Sequence, residues 1–175
     1  TDDIKEIKLE TKEINYKKEK KARIETLTWE LTEEEMESKF QYNLLKTLLE
    51  STKLTNMPIM SRLIRQHIKK KISSYRQQDI NKKRLNNFEF VDYKYVIDLL
   101  ISCELKCHYC ASDIFLLYTF VRESKQWTID RINNDIGHNK GNGVISCLEC
   151  NLKRRRTNKD AFMFTKNLKI IREGF

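Results

Sequence analysis

The chain is short of the residues that punctuate a fold. Its 175 residues include one proline, Pro58, and four glycines, of which Gly137, Gly141 and Gly143 fall close together. Tight backbone geometry is therefore concentrated in one loop. Apolar runs are short as well. None is long enough to span a bilayer, and nothing resembles a secretory signal peptide, which argues against a membrane partner. No internal repeat is visible, so a solenoid or propeller is not expected. Cysteine is limited to five and histidine to three. A chain of this length can bury one ordinary core and a small helical appendage.

Charge, by contrast, is plentiful. Lys and Arg number 34 against 25 Asp and Glu, giving a net charge of +9 and a pI near 9.3. That balance favours polyanions and salt-sensitive binding. Arg62, Arg65, Lys69, Lys70, Lys71, Arg76, Lys82, Lys83 and Arg84 run together, opposed only by Asp79. A second cluster is Lys153-Arg154-Arg155-Arg156. Such runs are either solvated faces or contact surfaces. Lys69, Lys70 and residues Lys153 to Arg156 are the candidate nucleic-acid contacts.

The cysteines are more specific. Cys107-x-x-Cys110 and Cys147-x-x-Cys150 form two knuckles, and two such pairs complete a closed tetrahedral Zn²⁺ shell. The metal reads as a staple around a folded insert. A single Cys-x-x-Cys is also compatible with redox chemistry, but the second pair argues against that. Cys103 follows an apolar run and reads as a small buried hydrophobe. Thiolate ligands suit a reducing, intracellular compartment.

Residues 1–30 read as a charged arm, with isolated Ile4, Ile7, Ile14 and Ile24, available to a protein or nucleoprotein partner. Residues 31–86 read as a basic helical region. Thr32-Glu33-Glu34-Glu35 is a capping box ahead of Met36, Phe40, Leu44, Leu45 and Leu48 at helical spacing, and that helix should stop before Asn56-Met57-Pro58. A second helix is expected from Ile59 to about Tyr75, with Leu63, Ile64, Ile68 and Ile72 on one stripe. Asp92 should cap a short helix carrying Val96, Ile97, Leu99 and Leu100. Ile114–Val121 and Gln126–Ile132 read as strands, with a third short one from Val144 to Ser146. A last helix should begin near Asn158, with Phe162 and Ile170 inward. The fold class expected is α+β.

In the second half, Cys107-His108-Tyr109-Cys110, Trp127-Thr128-Ile129-Asp130-Arg131-Ile132, Gly137-His138, Asn142-Gly143-Val144-Ile145-Ser146-Cys147 and Cys150-Asn151 with Lys153 follow one another in order. This series resembles the zinc-stapled HNH endonucleases, over roughly residues 88–165, about half the chain. The resemblance implies a ββα-metal fold in residues 87–175 and cleavage of phosphodiester bonds, of DNA in preference to RNA. It implies that Asp130 is the first carboxylate ligand of a catalytic Mg²⁺ or Mn²⁺. Asn151 would be the second ligand, and Asn142 would orient the base. Arg131 stands where the family most often has its catalytic histidine. A guanidinium cannot take a proton from water, but it can clamp a phosphate or stabilise developing charge.

Without the family name the chemistry runs the same way. A carboxylate and an amide oxygen make a sparse site for a hard cation, leaving room for a phosphate oxygen and water. His138, the imidazole in the glycine-bearing loop, could activate that water near neutral pH, or could simply bond a backbone carbonyl. Two functional classes remain open. One is a metal-dependent endonuclease of homing, restriction or recombination type. The other is a protein that kept the fold without the reaction and serves as a nucleic-acid-binding or structural component of an assembly such as a ribosome.

Overall fold

The computed structural model of the chain describes residues 20–23, 26, 29–50 and 58–168. Most of the charged arm, the Asn56-Met57 boundary and Ile170 lie outside the described residues. Those residues form a mixed α+β fold with five helices and one small two-stranded sheet. In chain order the elements are α1 (Ser38–Glu50), α2 (Ile59–Asn81), α3 (Tyr93–Ser102), β1 (Trp127–Arg131), β2 (Gly143–Cys147), α4 (Leu148–Arg154) and α5 (Lys159–Asn167).

The capping box forms, but it caps something smaller than expected. Thr32 N donates to Glu35 Oε2 (2.9 Å) and Glu35 N to Thr32 Oγ1 (3.3 Å). They close only a single 3₁₀ turn, Glu34–Met36, because Glu37 turns extended before α1 begins at Ser38. Two other caps stand where the sequence puts them. Asp92 accepts from Tyr95 N at 2.8 Å to start α3, and Asn158 accepts from Asp160 N and Ala161 N to start α5. Helix α2 outruns its expected end at Tyr75 by reaching Asn81, which brings Asp79 into the interior with no exposed surface.

The segment Ile114–Val121 is not the strand its composition suggests. Ile114, Leu116 and Leu117 are all fully buried, so the alternation of a half-buried strand is absent. Side chains from α1 satisfy its backbone instead. Gln41, also fully buried, accepts from Leu116 N (2.8 Å) and Leu117 N (3.0 Å) and donates to Leu117 O (3.2 Å), while Ser38 Oγ donates to Ile114 O (3.0 Å). Only single bridges remain, Phe115 to Gln126 and Phe120 to Ala22.

The sheet itself is an antiparallel pair, with Trp127 opposite Cys147, Ile129 opposite Ile145 and Arg131 opposite Gly143. Loop 132–142 joins the strands, and α4 follows β2 without a break. The core is continuous from Leu45 on α1 through Ile64, Ile68 and Tyr75 on α2 and Val96 and Leu100 on α3 to Trp127, Ile129 and Phe162. Tyr75 makes the join explicit, because its hydroxyl oxygen accepts from Ile129 N at 3.0 Å.

Candidate active site and metal centre

The sulfurs of Cys107, Cys110, Cys147 and Cys150 lie within 4.8 Å of one another. A tetrahedral Zn²⁺ with bonds of about 2.3 Å needs sulfurs about 3.8 Å apart, so the donor set fits the ion. The first knuckle closes where Ala111 N donates to Cys107 O (2.9 Å). The second is the start of α4, with Cys147 at its cap and Cys150 N pointing at Cys147 Sγ (3.4 Å). Cys147 N likewise donates to Cys107 Sγ at 3.3 Å. Left to themselves these thiols share charge unevenly. The Cys147 hydrogen bond draws Cys107 down to about 4, Cys107 pushes Cys147 up, and burial pushes Cys150 up to about 12. A divalent cation relieves that conflict by ionising all four. Cys103 stands apart, with its Sγ against Leu100 O at 3.4 Å.

Asp130, the expected Mg²⁺ ligand, is only 3 % exposed and its carboxylate is fully engaged. Arg154 approaches it as a fork, Nε to Oδ2 at 2.5 Å and Nη2 to Oδ1 at 2.8 Å. The Tyr109 hydroxyl donates to Oδ2 at 2.7 Å. Arg154 also donates to Arg131 O (2.5 Å) and Thr157 O (2.7 Å), tying β1 to the turn between α4 and α5. This corrects the reading of Arg154 as a phosphate contact, because at 1 % exposure it has no surface to offer. The helix end explains the split within the arginine run. Arg154, the last residue of α4, points inward from the helix, and Arg155 caps it with φ 52°, turning the chain so that Arg155 and Arg156 line an open groove.

That groove has a volume of about 570 Å³. Lys82 and Arg84 enter it from beyond α2, Arg131 from the end of β1, and Arg155 and Arg156 from beyond α4. Asn151 joins them from α4, its amide donating to Thr128 Oγ1 at 3.1 Å, and no carboxylate lines the groove. Asn151 and Asp130 are thus not a shared donor pair as the side chains stand. Of the remaining expected contacts, Lys153 pairs with Glu149 on the helix surface (2.5 Å). Lys69 lies over the Tyr93 ring, and Lys70 lines a small cavity with Arg23 and His67, away from the groove. Lys71, from the same run, packs over Trp127 and donates to Gln126 Oε1 (3.1 Å), and burial lowers its pKa to about 7.

His138 is buried against α2. Its Nδ1 lies 2.9 Å from Asp79 Oδ1 and 3.1 Å from Oδ2, and its backbone N donates to Oδ2 at 2.6 Å. The ring stacks on Tyr75 with centroids 4.4 Å apart and planes 24° apart. Arg131 Nη1 stands 3.8 Å from the same Asp79 Oδ1. Burial lowers the imidazole pKa below its ordinary value, and the Asp79 charge opposes that shift. Asn142 serves the loop rather than the ring. Its Oδ1 accepts from Asn133 N (2.9 Å), and its Nδ2 donates to Asn133 O (3.0 Å) and Gly137 O (2.9 Å).

Sequence reasoning did not single out Asp79, Tyr75 or Tyr109. Only Asp79 left a signal, as the lone acid in a nine-cation stretch. No family model, curated protein or solved structure matches this chain.

Proposed function

We propose that this chain is an HNH-type endonuclease. It holds a nucleic acid, DNA in preference to RNA, with the phosphodiester backbone in the Arg131–Asn151 groove. The observation that carries the reading is that groove. Five cations from three parts of the chain converge with Asn151 on a groove whose lining holds no carboxylate, although Arg156 pairs with Asp135 at 3.1 Å and Arg131 stands 3.8 Å from Asp79. Guanidinium groups suit phosphate oxygens because they donate in pairs. His138 and Arg131 face one carboxylate, but only Arg131 lines the groove; the His138 ring is 4 % exposed, so water has to reach it from beside Arg131. In hydrolysis a water oxygen forms the new bond to phosphorus and one P–O ester bond breaks. His138 Nε2 takes the water proton, Arg131 stabilises charge on the phosphoryl oxygens, and the leaving oxygen recovers a proton from solvent.

Zinc at the four cysteines supplies structure only, since four thiolates leave no open position. The Mg²⁺ or Mn²⁺ implied by the resemblance does not fit Asp130 as it stands, because Arg154 and Tyr109 already occupy both carboxylate oxygens.

That same fork favours a second reading, in which the fold binds nucleic acid in an assembly and performs no reaction. Nicking of supercoiled plasmid and cleavage of single-stranded RNA, each with chelator, Mg²⁺ or Mn²⁺, separate the two. The nuclease reading expects cleavage that His138→Ala and Arg131→Ala reduce without loss of fold. Salt-sensitive binding with no cleavage under any condition supports the second reading. Absence of binding as well as cleavage removes both.

A further inference from the structure

We propose that Asp79 is the positioning residue for His138, so that α2 supplies part of the reaction centre. This rests on the nuclease reading and adds to it a residue outside the stretch that resembles HNH enzymes. A carboxylate can only accept, so a ring nitrogen 2.9 Å from Asp79 Oδ1 must carry the hydrogen. Nδ1–H then leaves the Nε2 lone pair available, and Nε2 has no hydrogen-bond partner among the described residues. The tautomer needed to take a proton from water is the one this contact selects.

Asp79 and Tyr75 are one helical turn apart on α2, and together they hold the ring against rotation and tilt. Gly137 makes the approach possible. A Cβ there would lie 2.7 Å from Asp79 Oδ2 and 2.6 Å from Arg84 O, closer than side-chain atoms tolerate. The loop thus reaches Asp79 only because the residue before His138 has no side chain.

Four groups face the imidazole or act on its charge. They are Asp79 and Tyr75 on α2, Lys82 just beyond it, and Arg131 on β1. Asp79 favours the charged ring while burial, Arg131 and Lys82 disfavour it. Replacing Asp79 with Asn keeps the size and removes the charge, so the acid limb of the cleavage profile should move to lower pH. That shift follows from the lost charge alone, so the tautomer, read directly, is what separates positioning from merely holding the loop.

The test is nitrogen NMR of the full zinc-loaded chain, with His138 assigned by comparison with His138→Gln, beside pH–rate profiles. The wild-type protein should show a protonated Nδ1 and a bare Nε2 above pH 7. Asp79→Asn should stay folded by circular dichroism, lose the single tautomer and cleave about 10²–10⁴-fold more slowly. If Asp79→Asn does not fold, the wild-type tautomer still decides. A chain that cleaves with His138 in the other tautomer sinks the positioning role alone. So does an Asp79→Asn protein with parental tautomer and rate. A chain with the expected tautomer that cleaves neither DNA nor RNA sinks the nuclease reading and the positioning role with it.

Discussion

Two buried aspartates, about fifty residues apart in sequence, meet their cations in opposite ways. Asp130 is closed on every side: a guanidinium fork covers both oxygens and a tyrosine hydroxyl adds a third donor. Every partner of Asp130 belongs to the fold's framework, so that site is finished. Asp79 holds a titratable ring by one nitrogen and leaves the other nitrogen without a hydrogen bond among the described residues. The cation beside it, Arg131, stands off at 3.8 Å and reaches into the groove. A motif names residue types in order, but reactivity depends on which partner leaves valence unused. By that criterion the proposed reaction centre is at Asp79 and His138.

The largest effect tests the frame that both sites share. Removing zinc should cost on the order of 10 kcal/mol. Because the core is continuous and Tyr75 is bonded to β1, α2 should lose its carboxy-terminal turns together with the hairpin, where separate domains would leave α2 intact. Circular dichroism during chelation, with zinc analysis of the starting protein, reads both. One zinc per chain is expected. A folded protein purified without zinc would overturn the four-thiolate site.

Next come the aspartates themselves. Asp130→Ala or Arg154→Met alone should destabilise by about 3–5 kcal/mol, because either leaves a buried charge without its partner. Asp130→Leu combined with Arg154→Met should recover much of that loss. Chemical denaturation of all three checks the cycle. Asp79→Asn should show its main effect in cleavage rate. If Asp130→Ala is fully stable and specifically inactive, the comparison inverts and Asp130 is a working ligand after all. For this reason Asp130→Ala is a poor control for nuclease activity until its stability is known.

A smaller effect lies at the groove. Reversing Arg155 and Arg156 to Glu should weaken binding to many sequences alike. On duplex DNA the salt slope should fall by about 0.9 for each phosphate that is no longer neutralised. Reversing Lys69 and Lys70, which lie away from the groove, should leave the slope near parental. Equal slopes in both double variants would show that the groove is not the binding face.

How much of this was legible depended on whether a signal was local. The cysteine knuckles were, since thiol spacing and metal geometry constrain each other directly. The α3 and α5 caps were legible for the same reason, and so was the strand expected over Gln126–Ile132, which forms as Trp127–Arg131. The segment Ile114–Val121 was not, because its fate turns on Gln41, more than seventy residues earlier. The Asp79–His138 contact spans 59 positions, and no periodicity reports it. The division of Arg154 from Arg155 depends on one left-handed residue at a helix end, which a run of identical charges conceals.

The last effect is read as slopes against pH, and it separates two bases by the windows of titrations that share one sign. Burial depresses the His138 pKa in the folded chain, while the unfolded chain takes up its proton near the ordinary value of about 6.5. Its contribution to stability is therefore complete above that value and is lost as pH falls from there toward the depressed folded value. Lys71 is lowered to about 7 by burial and by Arg23, against an ordinary value of 10.5. Between these values the unfolded chain holds more protons, so stability should rise with pH across that window. Thermal melts of zinc-loaded protein from pH 5 to pH 10 should show two separate slopes. His138→Gln should flatten the acidic one and Lys71→Met the alkaline one, each leaving the other unchanged. An acidic slope that survives His138→Gln would place the titrating group elsewhere, and the Asp79 site would then be as fixed as Asp130.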